Sequence, residues 1–187
     1  MGPFEYLLIF AAIVLGLAVS DLAFSLHRLL GAGARVKWDW LAPMAAAVAF
    51  LKITTQWWSW FGLDKLATGL TWGMYLGVLT GTVLLFLLAA AALPDEVGEG
   101  VDLKAYYAGI SRRYWILFTA EWVLMGGVGI WAQMQIEGAR LAFSPIYLVV
   151  LVSASLAIFR ARWWHALCLA VFIVTYVGQF FGDVLGG

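Results

Sequence analysis

The chain has 187 residues, of which 64% are hydrophobic and 12% charged, and its formal net charge is zero. Soluble domains carry about 45 to 50% apolar and about 25% charged residues, so this composition excludes an ordinary soluble domain and indicates a membrane protein. Balanced charge without a basic cluster excludes a nucleic-acid binder, and a single cysteine, Cys168, excludes an intrachain disulfide framework or a zinc cluster.

Six apolar segments follow one another along the chain, each close to the length of about 20 residues that a helix needs to cross a bilayer. Their continuous apolar runs favour helices over barrel strands, in which apolar and polar residues would alternate. We predict an all-α integral membrane protein, a six-helix bundle with short loops that forms one domain over residues 1–187. The predicted spans are 4–27, 40–61, 68–92, 112–134, 145–160 and 163–183.

The first two segments each carry a charge inside the predicted span. Glu5 stands where a cleavable signal peptide has basic residues, so we expect the first helix to be retained. Asp21 lies inside this helix and Ser25 one turn further on. The second segment contains Lys52 with Gln56 one turn further on. A lysine inside a span costs about 2.5 to 3.5 kcal/mol on insertion scales, so Lys52 needs a partner or a route to water.

The third segment contains a series of glycines spaced four residues apart. Residues four apart share one helix face, so the series forms a flat surface on which another backbone can pack closely. The expected partner is either another helix of the same chain or a second protomer. The series, here called the glycine ridge, consists of Gly69, Gly73, Gly77 and Gly81.

A polar connection over residues 93–115 precedes the fourth span. Pro94 ends the third helix, and Asp102 is suited to cap a helix that continues into the fourth span. Ser144 followed by Pro145 is typical of a helix start and predicts the beginning of the fifth helix.

Lysine and arginine are distributed unevenly between the connections. The first, third and fifth connections carry eight of them, and the second and fourth carry only Lys65 and Arg140. Because positive residues near span ends favour the cytoplasmic side, we expect both termini outside and a multi-pass protein of the bacterial inner membrane. The eight residues are Arg28, Arg35, Lys37, Lys104, Arg112, Arg113, Arg160 and Arg162.

Tryptophan and histidine cluster near the predicted span ends. For nine of the eleven tryptophans we expect an interfacial aromatic belt and no cation cage. His27 and His165 lie at similar depth, as two haem ligands would. Without nearby carboxylates or cysteines, however, we expect interfacial histidines and neither a metal site nor a cofactor. The nine tryptophans are Trp38, Trp40, Trp57, Trp58, Trp60, Trp72, Trp115, Trp163 and Trp164.

Asp21, Lys52 and Glu121 are the ionisable residues deep inside the predicted spans. At 1.5 Å per residue they lie about 9, about 18 and about 14 Å from the cytoplasmic ends, and the lean of helical side chains brings their charged groups toward one level. With Ser25 and Gln56 they form a predicted intramembrane polar cluster. Lys52 then belongs to a structural ion pair, snorkels from a lipid-facing position, or serves a functional site.

Charged residues inside spans mark substrate and ion paths, so we expect a small transporter or channel for a small solute or ion. Two acids facing one lysine would leave a spare acid that holds its proton, as in a proton relay. The alternative is a non-catalytic membrane scaffold or partner subunit that docks through the glycine ridge, either as a homo-oligomer or on another membrane protein. No catalytic motif is found in the sequence, so no enzymatic activity is expected.

Overall fold

The computed structural model describes residues 3–60, 71–98, 100–134 and 146–185. These residues form six helices, and each of them corresponds to one predicted span, so the all-α prediction is confirmed. Two short strands, β1 (Val36–Lys37) and β2 (Val101–Asp102), precede the second and fourth helices. The helices are α1 (Pro3–Ala32), α2 (Leu41–Trp60), α3 (Trp72–Ala92), α4 (Leu103–Met134), α5 (Ile146–Ile158) and α6 (Arg162–Leu185).

The start of α4 is capped as the sequence predicts. Asp102 Oδ1 accepts hydrogen bonds from the backbone N–H groups of Lys104 and Ala105 at 2.9 and 3.1 Å. These bonds, chiefly the one from Ala105, hold the pKa of the Asp102 carboxyl below its usual value. From this cap α4 continues for 32 residues into the predicted fourth span. The predicted helix start at Ser144 and Pro145 lies outside the described residues.

Among the described residues, three helices, α1, α3 and α4, are long and apolar enough to cross a membrane. Helix α5 is also apolar but has 13 described residues. Large apolar side chains point outward from the bundle, among them Leu17, Phe24 and Val123, each more than half exposed. Extensive apolar surface of this kind marks contact with a membrane or a partner. A membrane location is therefore plausible.

Helices α2 and α4 form the centre of the bundle. Helix α2 packs against α1, α3, α4 and α6, and α4 also packs against α3 and α5. The Tyr114 hydroxyl joins the two central helices by donating to the Ala45 carbonyl at 2.7 Å. Helix α1 buries one stripe of residues three or four apart, as expected for a helix with a single packed face. The stripe consists of Leu7, Ala11, Leu15, Ala18, Leu22, Ser25 and Leu29.

Three connections meet at one end of the bundle. Strand β1 pairs in parallel with β2, which joins the α1–α2 connection to the α3–α4 connection. Arg162, at the start of α6, forms an ion pair with Asp39 at 2.7 Å, which brings the α5–α6 connection to the same end. We call this the basic end, because these are the three connections to which the eight basic residues belong. Helix α1 begins and α6 ends at the opposite end.

The described part of the glycine ridge faces α4 of the same chain. A Cβ atom added to Gly77 would lie 2.5 Å from Val128 Cγ2, and one added to Gly81 would lie 2.6 Å from Met125 Cε. At Gly73 the nearest atom would be on the Trp131 ring, at 3.1 Å. The expected partner was either a helix of the same chain or a second protomer. At these three glycines it is a helix of the same chain, α4. Gly69 lies outside the described residues.

The expected aromatic belt is only partly present. Trp38, Trp40, Trp58, Trp72 and Trp163 are exposed as a belt requires. Two of the nine predicted members are instead buried in the bundle, and the prediction is wrong for them. The two are Trp60, which is 5% exposed, and Trp115, which is fully buried.

Candidate functional site

Lys52 on α2 lies inside the bundle against Glu121 on α4. Its Nζ is 3.0 Å from Glu121 Oε2, and the two side chains are only 4% and 1% exposed. The ammonium also donates to Gln56 Oε1 at 3.0 Å and lies 3.9 Å from the centre of the Trp122 ring. The ammonium group therefore has three partners, namely a carboxylate, an amide oxygen and an aromatic face. This accounts for a lysine in an apolar helix, and it excludes the snorkelling alternative.

Several buried polar atoms of this pair and of two nearby residues have no hydrogen-bond partner within the described residues. Glu121 Oε2 has only its ionic contact with the ammonium, and Oε1 has no donor among the described residues. The Trp122 indole N–H and the Tyr176 hydroxyl, both buried, also lack partners within the described part of the chain. Tyr176 lies near both Trp122 and Glu121, but its hydroxyl and the indole do not reach hydrogen-bond geometry. Unsatisfied buried groups are rare and require an explanation, for which a bound molecule is one candidate.

Sequence reasoning did not identify Trp122 and Tyr176 as members of the site. Trp122 follows Glu121 directly, and the cation–π contact with Lys52 depends on the rotation of α4, which the sequence does not give. Tyr176 lies in the middle of α6, where a tyrosine hydroxyl needs a polar partner inside the bundle. This requirement is the feature of the sequence from which Tyr176 could have been predicted as a member of the site.

Asp21 and Ser25 do not join Lys52, and the prediction of one convergent cluster is wrong in this respect. The Ser25 hydroxyl donates to Asp95 at 3.4 Å and accepts from Arg28 at 3.0 Å, at the basic end. The charged neighbours of Asp21 are Asp95 and Arg28. Lys52 thus has one acid beside it and not two, so the spare acid expected for a proton relay is not at this site.

Buried aromatic rings separate the Lys52–Glu121 pair from the basic end. Trp115 and Phe118 precede Glu121 on α4, and both contact Phe172 of α6, with ring centres 5.8 and 5.3 Å away. Tyr176 lies one turn beyond Phe172, with ring centres 6.5 Å apart. We call Trp115, Phe118 and Phe172 the aromatic layer. All three of its side chains are buried.

His165 is buried on the other side of the aromatic layer, and the prediction of an interfacial histidine is wrong for it. Its Nε2 donates to the Phe159 carbonyl at 2.8 Å, which leaves Nδ1 to accept from the Tyr107 hydroxyl at 2.8 Å in the neutral ring. Tyr107 in turn accepts from the Trp115 indole at 3.1 Å. His27, in contrast, is exposed. Within the described ranges, no three His, Cys, Asp or Glu side chains are grouped closely enough to hold a metal ion.

Comparison with protein-family models, with curated proteins and with solved structures gives no match for this chain.

Proposed function

We propose that this chain is a six-span inner-membrane protein with both termini outside, which moves a small solute or ion through a site centred on Lys52 and Glu121. The proposed orientation is supported by the meeting of three connections at the basic end and by the rule that positive residues favour the cytoplasm. The proposal involves no catalytic step.

The observation that carries the proposal is the group of unpartnered polar atoms beside the buried ion pair. Glu121 Oε1 can accept a hydrogen bond, the Trp122 indole can donate one, and the Tyr176 hydroxyl can do either. Lys52 and Glu121 neutralise each other, so this group suits a small solute with hydrogen-bonding atoms or a hydrated ion that displaces part of the pair. Intramembrane ionisable residues commonly line such paths.

The burial of the pair indicates which kind of transport is proposed. A permanently open channel would expose the two charges to water, but their side chains are 4% and 1% exposed. The proposal is therefore a gated path in a closed conformation, with the aromatic layer as its barrier toward the basic end.

The same burial favours the second candidate, a membrane scaffold or partner subunit in which the ion pair is purely structural. A buried pair can be retained for specificity without any transport role. Because Gly73, Gly77 and Gly81 pack on α4, a partner of this scaffold would need to bind elsewhere on the bundle.

Water access to position 121 distinguishes the two candidates. The reporter is Glu121→Cys with Lys52→Met and Cys168→Ser, which leaves no unpaired charge and no other thiol. Val123→Cys with Cys168→Ser is the control. Val123 is two residues from Glu121 and therefore at a similar depth, but it lies on the outer apolar surface. In proteoliposomes, a small charged methanethiosulfonate reagent should modify the reporter from at least one side and should leave the control unmodified. A reporter that is unreactive from both sides would refute the transport proposal and favour the scaffold.

A further inference from the structure

A pocket of about 180 Å³ opens at the basic end, where the starts of α2, α4 and α6 meet. This is far more than the about 10 to 15 Å³ that one water molecule requires. The pocket is separate from the Lys52–Glu121 pair. Its floor is formed by buried polar and apolar side chains and its rim by three basic ones. The lining residues are Leu41, Lys104, Tyr107, Ala108, Ser111, Arg160, Arg162 and His165.

The rim of the pocket carries an excess of positive charge. Arg162 forms an ion pair with Asp39. Lys104 and Arg160 are exposed, and neither forms an ion pair with a carboxylate in the part of the chain that the structure describes. Arg160 therefore faces the opening without a paired carboxylate, and Lys104 has only the nearby Asp102 carboxylate as an acidic neighbour, without a direct ion pair.

The floor of the pocket offers one hydrogen-bond donor, the hydroxyl of Ser111, beside these positive charges. Ser111 is 8% exposed, and its hydroxyl makes only a weak bond of 3.4 Å to the Ala108 carbonyl, so it can turn toward a ligand. Helix α6 begins on the same wall at Arg162, and the positive end of its dipole adds to the field of the side chains.

We propose that this pocket binds a phosphate group, held by Lys104 and Arg160 and by the Ser111 hydroxyl. Arginine and lysine with a hydroxyl donor form a donor set that suits a phosphate oxyanion. Basic pockets between membrane helices on the cytoplasmic side are suited to lipid phosphates, and a free phosphate presents the same oxygens. The bound group is thus either the headgroup of an anionic phospholipid or a soluble phosphate.

The test uses the full chain in nanodiscs of phosphatidylcholine, with inorganic phosphate as one probe and added phosphatidylglycerol as the other. Both side chains are exposed, so Lys104→Gln with Arg160→Gln should fold. The matched control is Arg112→Gln with Arg113→Gln, which removes the same charge from α4 outside the pocket lining. Lys104→Arg with Arg160→Lys keeps the charge and should keep binding. The thermal midpoint and the phospholipid retained in native mass spectrometry are measured.

The pocket variant should bind the probe at least about tenfold more weakly than the wild type, because one charge-assisted hydrogen bond is worth about a decade in affinity. Stabilisation by inorganic phosphate in neutral lipid, lost in the pocket variant alone, would identify a soluble phosphate. Retention of phosphatidylglycerol without any effect of inorganic phosphate would identify a lipid headgroup. No effect of either probe on the wild type, or equal losses in the pocket and control variants, would overturn the proposal.

Discussion

Glu121 turns one carboxylate oxygen to Lys52 at 3.0 Å and leaves the other without a donor among the described residues. A pair that served only to neutralise two charges would be expected to have both oxygens satisfied, because each unmet buried acceptor costs about 1 to 3 kcal/mol. The Trp122 indole and the hydroxyl of Tyr176, a residue that lies near both Trp122 and Glu121, also lack partners within the described residues. This asymmetry is the reason to treat the pair as a site.

The first prediction concerns the coupling between Lys52 and Glu121. Lys52→Met should destabilise the fold by about 3 to 5 kcal/mol, because it leaves a buried carboxylate without its counter-ion. Adding Glu121→Gln should recover part of the loss, with a coupling energy of about 0.5 to 3 kcal/mol. Unfolding of the four proteins in mixed detergent micelles measures this cycle. Asp21→Asn in place of Glu121→Gln is the control and should be additive with Lys52→Met. If the effects of Lys52→Met and Glu121→Gln on stability were also additive, the two side chains would not be energetically coupled.

The second prediction concerns the Tyr176 hydroxyl. Tyr176→Phe removes a buried group that has no hydrogen-bond partner within the described ranges, so stability should be unchanged or higher. If the proposed path is correct, access of the thiol reagent to position 121 or solute movement should nevertheless change. Tyr114→Phe is the control: its hydroxyl donates to the Ala45 carbonyl, and its loss should destabilise the protein by about 1 kcal/mol or more. A large loss of stability in Tyr176→Phe would indicate that its hydroxyl is already satisfied.

The depth of each charge along its helix could be predicted from the sequence, but its direction around the helix could not. Counting residues from the span ends was sufficient to expect that Lys52 and Glu121 can meet. Asp21 has a compatible depth, but its charged neighbours are Asp95 and Arg28 and not Lys52. Helix rotation is set by packing between helices, and the low contrast between apolar faces in a membrane helix gives little information about it.

The same limitation explains Trp115 and His165. Their positions near span ends are typical of interfacial residues, and for Trp163 that interpretation agrees with the structure, where 69% of the residue is exposed. Both instead bond to the Tyr107 hydroxyl, which is 8 positions from Trp115 and 58 positions from His165 in the sequence. The glycine ridge was more predictable, because a series of small residues marks a packing face whatever its partner is.

The third prediction tests the ridge. Gly77→Ala should destabilise the protein by about 1 to 3 kcal/mol, because the new methyl group would lie 2.5 Å from a methyl of Val128, whose branched side chain cannot easily move. Val128→Ala in the same protein should restore part of the stability by removing that methyl group. Gly16→Ala on α1 is the control, because its Cβ would meet nothing within 4 Å. Equal thermal midpoints for Gly77→Ala and Gly16→Ala would show that α3 and α4 do not pack this closely.

The fourth prediction concerns the chain of hydrogen bonds at His165. Tyr107→Phe should destabilise the protein by about 1 to 3 kcal/mol, because it leaves both the Trp115 indole and His165 Nδ1 without partners. Tyr106→Phe is the matched control. The Tyr106 hydroxyl donates one bond of 3.2 Å to the Ala91 carbonyl, and its loss should have the smaller effect. The order of the two thermal midpoints is the measurement, and the reverse order would contradict the buried network.

The last prediction concerns the aromatic layer as a barrier. Phe118→Ala should destabilise the protein by about 3 to 5 kcal/mol, because Phe118 is fully buried between Trp115 and Phe172. Phe118 lies one turn before Glu121 on α4, so we expect water to enter the cavity and to reach position 121. In the reporter with cysteine at position 121, Phe118→Ala should therefore raise the rate of modification by a reagent added at the basic end. Phe24→Ala, a truncation on the outer surface, should leave that rate unchanged. If the folded Phe118→Ala reporter reacts no faster than the reporter alone, the aromatic layer is not the barrier, and the path would have to open elsewhere in the bundle.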